Sequence, residues 1–143
     1  MASADDRSRA RQGATVAPTR RYTWELTAHP RELAHFRRLV KRATEEWEQP
    51  PSVRDVVLQG VTELLSNVAR HAGSPHCELT VERIGTEAVE VSVRDASDVL
   101  PVVTLPEWWA EDGRGLWMLN EVAEALGWEP LPTGGKRVWF RAV

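Results

Sequence analysis

The sequence predicts an α/β protein, a two-layer sandwich whose mixed, mostly antiparallel sheet is covered on one face by three helices. Three observations predict it. Short apolar stretches occur in pairs separated by turn residues, around Gly85 and at Thr133-Gly134-Gly135, which is the pattern of hairpins. Three other stretches repeat their apolar residues at helical spacing. The resulting order is strand, helix, helix, strand, strand, loop, helix, strand, strand, with helices long enough to cover only one face of the sheet.

Taken in order, residues 1–19 are small and charged without an apolar period and read as a disordered tail, basic through Arg7, Arg9 and Arg11; the folded domain is expected over 20–143. Residues 22–27 alternate, with Tyr22, Trp24 and Leu26 on one side, and give the first strand. Pro30 opens a helix to about residue 47, with Leu33, Phe36, Leu39, Val40, Ala43 and Trp47 as its buried stripe. Its other face carries Arg37, Arg38, Lys41 and Arg42, which is either simply solvated or a surface for an acidic protein partner. Pro50 and Pro51 break the chain, and Ser52 is expected to cap a second helix that runs to about residue 72 and stops at Gly73.

Residues 77–84 and 88–94 form a hairpin, and Asp95 falls where its second strand ends. Residues 96–112, with Pro101, Pro106, Trp108 and Trp109, make a loop whose length suits a lid. A third helix over 114–126 is expected to bury Leu116, Leu119, Val122, Ala123 and Leu126. A last hairpin then pairs 127–131 with 136–142.

Composition excludes several classes. A chain of 143 residues allows one domain with a respectable core. A net charge of −3 and a pI near 5.8 argue against direct nucleic-acid binding, which needs a basic surface. No apolar run has membrane-spanning length, and the N-terminus lacks a signal-peptide core, so a cytoplasmic protein without membrane contact is expected. Cys77 is the only cysteine, leaving no internal disulfide and no thiolate metal cluster.

Three features carry chemistry. Glu63 and Asn67 lie four residues apart on the second helix, beside an apolar stripe of Val53, Val56, Val57, Val61, Leu64, Leu65 and Val68, and project a carboxylate and an amide from one face. A carboxylate can take a proton from a hydroxyl; an amide oxygen can ligate a hard divalent cation without cancelling its charge. Asp95 at a strand end is suited to accept an exocyclic amine. Gly113-Arg114-Gly115 opens the third helix, where unpaired N–H groups and the positive end of the macrodipole favour phosphate. Each has a plain alternative: solvated polar residues at a stripe's edge, a turn aspartate, a flexible turn.

In this order and spacing the features resemble the Bergerat ATP-binding fold shared by gyrase, Hsp90, histidine kinases and MutL. Glu63 to Ala72 looks like the N-box, Arg94-Asp95-Ala96-Ser97 like the first glycine box, and Gly113-Arg114-Gly115-Leu116 like the second. Over 143 residues neither a transducer nor a helical dimerisation segment is expected. It is therefore similar to the anti-sigma-factor serine kinases of the RsbW/SpoIIAB type, particularly the short ATP-binding regulators of actinobacteria, whose ending resembles Thr133 to Phe140.

The resemblance implies ATP and Mg²⁺ as cofactors, with Asn67 as metal ligand and Glu63 as general base toward a serine on a partner. It implies Asp95 as acceptor of the adenine amine, and the backbone around Gly113, Gly115 and Leu116 as phosphate cradle. Arg70, His71, Ser97 and Arg114 join the cofactor-binding set by position. An anti-anti-sigma (STAS-domain) partner, a sigma factor and a homodimer are likewise expected by resemblance alone. The chain departs from the family pattern at Ser97 and Val99, which stand in place of glycines, and at Lys136 and Arg137, where many members place a threonine.

Three functions compete on this basis. The first is a protein-serine kinase and anti-sigma factor, the second a docking regulator without phosphotransfer, and the third a free-standing ATPase.

Overall fold

Alternation decides which way each strand faces, and it brings one row of charged and apolar ends together. The computed structural model describes residues 19–101 and 114–143. Its elements are β1 (Arg21–Thr27), α1 (Pro30–Glu46), α2 (Pro51–His71), β2 (His76–Ile84), β3 (Ala88–Asp95), α3 (Arg114–Val122), β4 (Ala125–Pro130) and β5 (Lys136–Ala142). The strands form a five-stranded sheet in the order β1-β2-β3-β5-β4. The sequence predicts a mixed, mostly antiparallel sheet; among the described residues every neighbouring pair is antiparallel.

Val91 and Val93 point inward from β3, opposite Val81 and Leu79 of β2 and Phe140 and Val138 of β5, as does Val89 opposite Ala142 of β5, and all are buried. The next inward position on each strand is Asp95, flanked in register by Cys77 and by Lys136. The period of two therefore delivers a carboxylate and an ammonium to the end of an otherwise apolar row.

The helices lie on that inner face. Phe36, Val40 and Ala43 of α1 and Val53, Val57, Val61, Leu64, Leu65 and Val68 of α2 join the core. Gly60 sits where α2 crosses β5: a Cβ there would fall inside the Phe140 ring, so the missing side chain sets how closely helix and sheet pack. At the edge of the core Tyr22 stacks on Trp24 at 5.6 Å between centroids, and Trp47 donates from Nε1 to the Thr19 carbonyl at 2.6 Å.

Two boundaries differ from the sequence expectation. α2 begins at Pro51 with Pro50 as N-cap and no side-chain cap hydrogen bond, so Ser52 is not the cap. A proline at the first helical position presets φ and has no N–H to satisfy. α3 stops at Val122 rather than 126, because Glu124 N–H reaches the Arg141 carbonyl at 2.8 Å and Ala125 starts pairing with β5. Leu126 still packs on the core, now from a strand, whereas Val122 is 52% exposed. Of the expected lid, residues 102–112, including Trp108 and Trp109, lie outside the described residues, as do Gly113 of the glycine motif and most of the expected N-terminal tail.

Candidate functional site

A cavity of about 370 Å³ opens between α2, the ends of β3 and β5, and the start of α3. α2 contributes Leu64, Asn67, Val68 and His71; the sheet contributes Val93, Asp95, Lys136 and Val138; Leu116 comes from α3, and residues 99–101 close one side. Asn67, His71, Asp95 and Leu116, picked from three separate sequence motifs, thus share one wall system. Most of that wall is apolar, and its volume is in the range of small-molecule pockets.

At the closed end Asp95 is 9% exposed as a residue and its side chain 3%. Its Oδ1 accepts the Ser97 N–H at 2.8 Å and the Lys136 ammonium at 3.0 Å. The sequence marks Lys136 only as a departure from a family pattern; the structure makes it the partner of Asp95. The signal is present, since a lysine at an inward position in Lys136-Arg137-Val138-Trp139-Phe140 must find an acid or leave the core. Burial, followed by the nearby Asp95 charge, pushes the Cys77 thiol up to about 12, so that sulfur is a neutral neighbour of the pair.

The segment after Asp95 is held by short side chains in place of glycines. Ser97 Oγ accepts the Val99 N–H at 3.2 Å, and Asp98 Oδ1 accepts the Gly135 N–H at 2.8 Å. Among the described non-glycine residues only Glu48 has a positive φ, so Ser97 and Val99 need no glycine-only conformation. Gly135 does: its φ is 80°, and a Cβ would collide with the Asp95 carbonyl. Ser97 supports Asp95 from its turn and is not on the cavity wall.

Glu63 lies one helical turn before Asn67, off the cavity wall and against α3. A Cβ on Gly115 would fall within the Glu63 carboxylate, so the glycine is what lets this acid meet the first turn of α3. The N-terminal end of a helix is a favourable seat for negative charge. On its other side Glu63 borders a shallow depression shared with Arg37 of α1 and Asp55, Gln59 and Thr62 of α2. Asn67 Oδ1 accepts from Arg70 Nη2 at 2.9 Å, an exposed contact open to competition from water or a cation. Arg70 is therefore drawn to Asn67, and His71 is exposed at the cavity rim. Arg114 is exposed at the start of α3.

A family model described as the histidine kinase-like ATPase domain matches residues 26–142. The chain belongs to the histidine kinase-like ATPase family. No curated protein matches it. Among solved structures this ATPase domain is similar to the RsbU and RsbW domains of Rv1364c from Mycobacterium tuberculosis, with a TM-score of 0.66 and 18% identity. That match covers 88% of this chain and 33% of the other, and at such identity it speaks for the fold.

Membership in the family implies ATP binding. The residues of this histidine kinase-like domain fit a purine at the Asp95 end, where a buried acid faces apolar walls. They fit a hard cation only in part. Among the described residues no cluster of three acids, histidines or cysteines exists, so a cation at Asn67 must take its remaining ligands from phosphate and water, as Mg²⁺ commonly does. No described helix is long and apolar enough to cross a membrane.

Proposed function

We propose that this chain is an ATP-dependent protein-serine kinase and anti-sigma factor of a partner-switching pathway, acting on a STAS-domain anti-anti-sigma protein in the cytoplasm. The single observation that carries the reading is the seat of Glu63, held against the glycine that opens α3 and one turn from Asn67 at the cavity mouth. When bound, ATP supplies the γ-phosphoryl group and Mg²⁺ the charge neutralisation such transfer requires. Asp95 accepts the adenine amine, and Asn67 offers its amide oxygen to the cation once Arg70 releases it. Gly115 and Leu116 present backbone N–H groups at the helix start, together with Arg114.

Glu63 takes the proton of the partner's serine hydroxyl as that oxygen bonds to phosphorus and the bond to the ADP oxygen breaks. The basic residues of α1 support a protein partner. Arg37, Arg38, Lys41 and Arg42 are all exposed, and Arg37 shares the depression that Glu63 borders, so an acidic segment bound to α1 brings its serine beside the base. A homodimer and a sigma factor as the second ligand belong to the same proposal.

A specific observation favours a second reading, a docking regulator without phosphotransfer. The acid expected to accept adenine already holds Lys136, and the amide expected to hold the cation already holds Arg70. Incubation with Mg²⁺, γ-labelled ATP and a candidate STAS protein separates the two. Label on a partner serine, lost in Glu63→Gln, supports the kinase; tight partner binding without label supports the docking regulator and overturns the kinase.

A further inference from the structure

We propose that Lys136 is a base-reading residue of the cavity, donating to the ring nitrogen N1 of adenine beside the exocyclic amine that Asp95 accepts. The inference rests on the reading of the cavity as an adenine-nucleotide site and deepens it.

Lys136 and Asp95 are opposed in register on β5 and β3, with side chains 10% and 3% exposed and Nζ 3.0 Å from Oδ1. Two facts make the pair incomplete. Both described hydrogen bonds to the carboxylate, from Ser97 N–H and Lys136, fall on Oδ1, and none among the described residues reaches Oδ2. An ammonium has three N–H donors, and among the described residues Lys136 spends one. A buried ion pair is stable only when its remaining donors and acceptors are also satisfied. The cavity beside the pair is lined by Val93, Val138, Leu64 and Leu116, which offer none, and by Asn67 and His71, neither of which bonds to the pair among the described residues.

The pair therefore presents one acceptor and adjacent donors to whatever fills the cavity. Adenine carries the complement on neighbouring atoms, the N6 amine as donor and N1 as acceptor. Lys136 thus adds a second contact to the same base edge and reads it, instead of merely blocking Asp95.

The test is a calorimetric comparison of Mg-ATP with Mg-1-deaza-ATP, in which N1 is replaced by C–H, on the full chain and on Lys136→Met. The expected result is about ten- to a hundred-fold weaker binding of 1-deaza-ATP to the natural chain, the range for a hydrogen bond to a charged group. Lys136→Met is expected to bind both nucleotides with equal, weakened affinity. Should that variant fail to fold, Lys136→Gln retains a neutral donor and is expected to keep a reduced preference for ATP.

Equal affinities on the natural chain overturn the proposal while leaving the nucleotide site standing. An undiminished preference for ATP in Lys136→Met does the same, because it means that lysine acts only by holding Asp95. Tighter binding of GTP than of ATP also overturns it. No binding of any nucleotide at millimolar concentration overturns both the proposal and the reading beneath it.

Discussion

Removing Lys136 alone leaves the Asp95 carboxylate buried without its counter-charge. Breaking a buried pair from one side costs about 3–5 kcal/mol, because the surviving charge stays desolvated. With Asp95 3% exposed the full range is in play, but two features pull toward its lower end. The Ser97 N–H still donates to Oδ1, and the adjoining cavity of about 370 Å³ lets water reach the carboxylate. Lys136→Met is therefore expected to lose about 3 kcal/mol, a large share of the ~5–15 kcal/mol typical of a domain. At roughly 4 °C per kcal/mol for this chain length, the melting temperature falls by about 12 °C.

Asp95→Asn alone should cost less, about 1–2 kcal/mol, since a long lysine stem can carry its ammonium into the cavity mouth. The double variant Asp95→Asn/Lys136→Met removes both charges and keeps an acceptor for Ser97, so it should recover to within about 1 kcal/mol of the natural chain. Urea unfolding followed by circular dichroism measures all four proteins, with an unchanged m-value as the check that the transition is the same one. If Lys136→Met melts within about 2 °C of the natural chain, or the double variant is the least stable of the four, the pair is not the buried, interdependent unit described above.

Gly60→Ala should destabilise the fold by about 1–3 kcal/mol although alanine is the better helix former, because the new methyl enters the Phe140 ring; Phe140→Leu added to it should restore part of the loss in the same urea assay. Gly115→Ala meets the far end of a flexible side chain, so stability should change by under ~1 kcal/mol while partner phosphorylation falls about 10²–10⁴-fold through displacement of the Glu63 carboxylate. Cys77, its thiol raised from 9.0 to about 12, should resist iodoacetamide at about pH 8 until urea unfolds the chain. Since the folded thiol is harder to ionise than the unfolded one, its contribution to stability is complete below pH 9 and is lost as pH climbs toward 12. The urea midpoint over that interval should fall less in Cys77→Ala.

Much of the fold and part of the site are legible in the amino-acid order, for physical reasons. The stripe of Val53, Val57, Val61, Leu64 and Val68 can bury only one way, which determines α2 and with it the shared face of Glu63 and Asn67. The strict alternation of Val89, Val91 and Val93 determines β3 and leaves Asp95 at its inner end. The misses occur where two signals compete. Ser52 is a good cap by residue type, but Pro50 and Pro51 hold the first turn without it. Residues 123–126 continue the apolar period of α3, yet pairing with β5 claims Ala125 and Leu126 for β4, a contact with residues sixteen and fourteen positions away that no local pattern contains. The Lys136–Asp95 pair is of the same kind, since each residue looks ordinary until the register puts them opposite one another.

Whether the cavity takes an adenine nucleotide is decided by titration calorimetry of the purified chain with Mg-ATP. Saturable binding is expected, and Asp95→Ala in a Lys136→Met background should abolish it with the fold kept as judged by circular dichroism. Absence of binding at millimolar nucleotide, with the domain folded and the STAS partner present, would contradict the assignment of Asp95 and Lys136 to the purine.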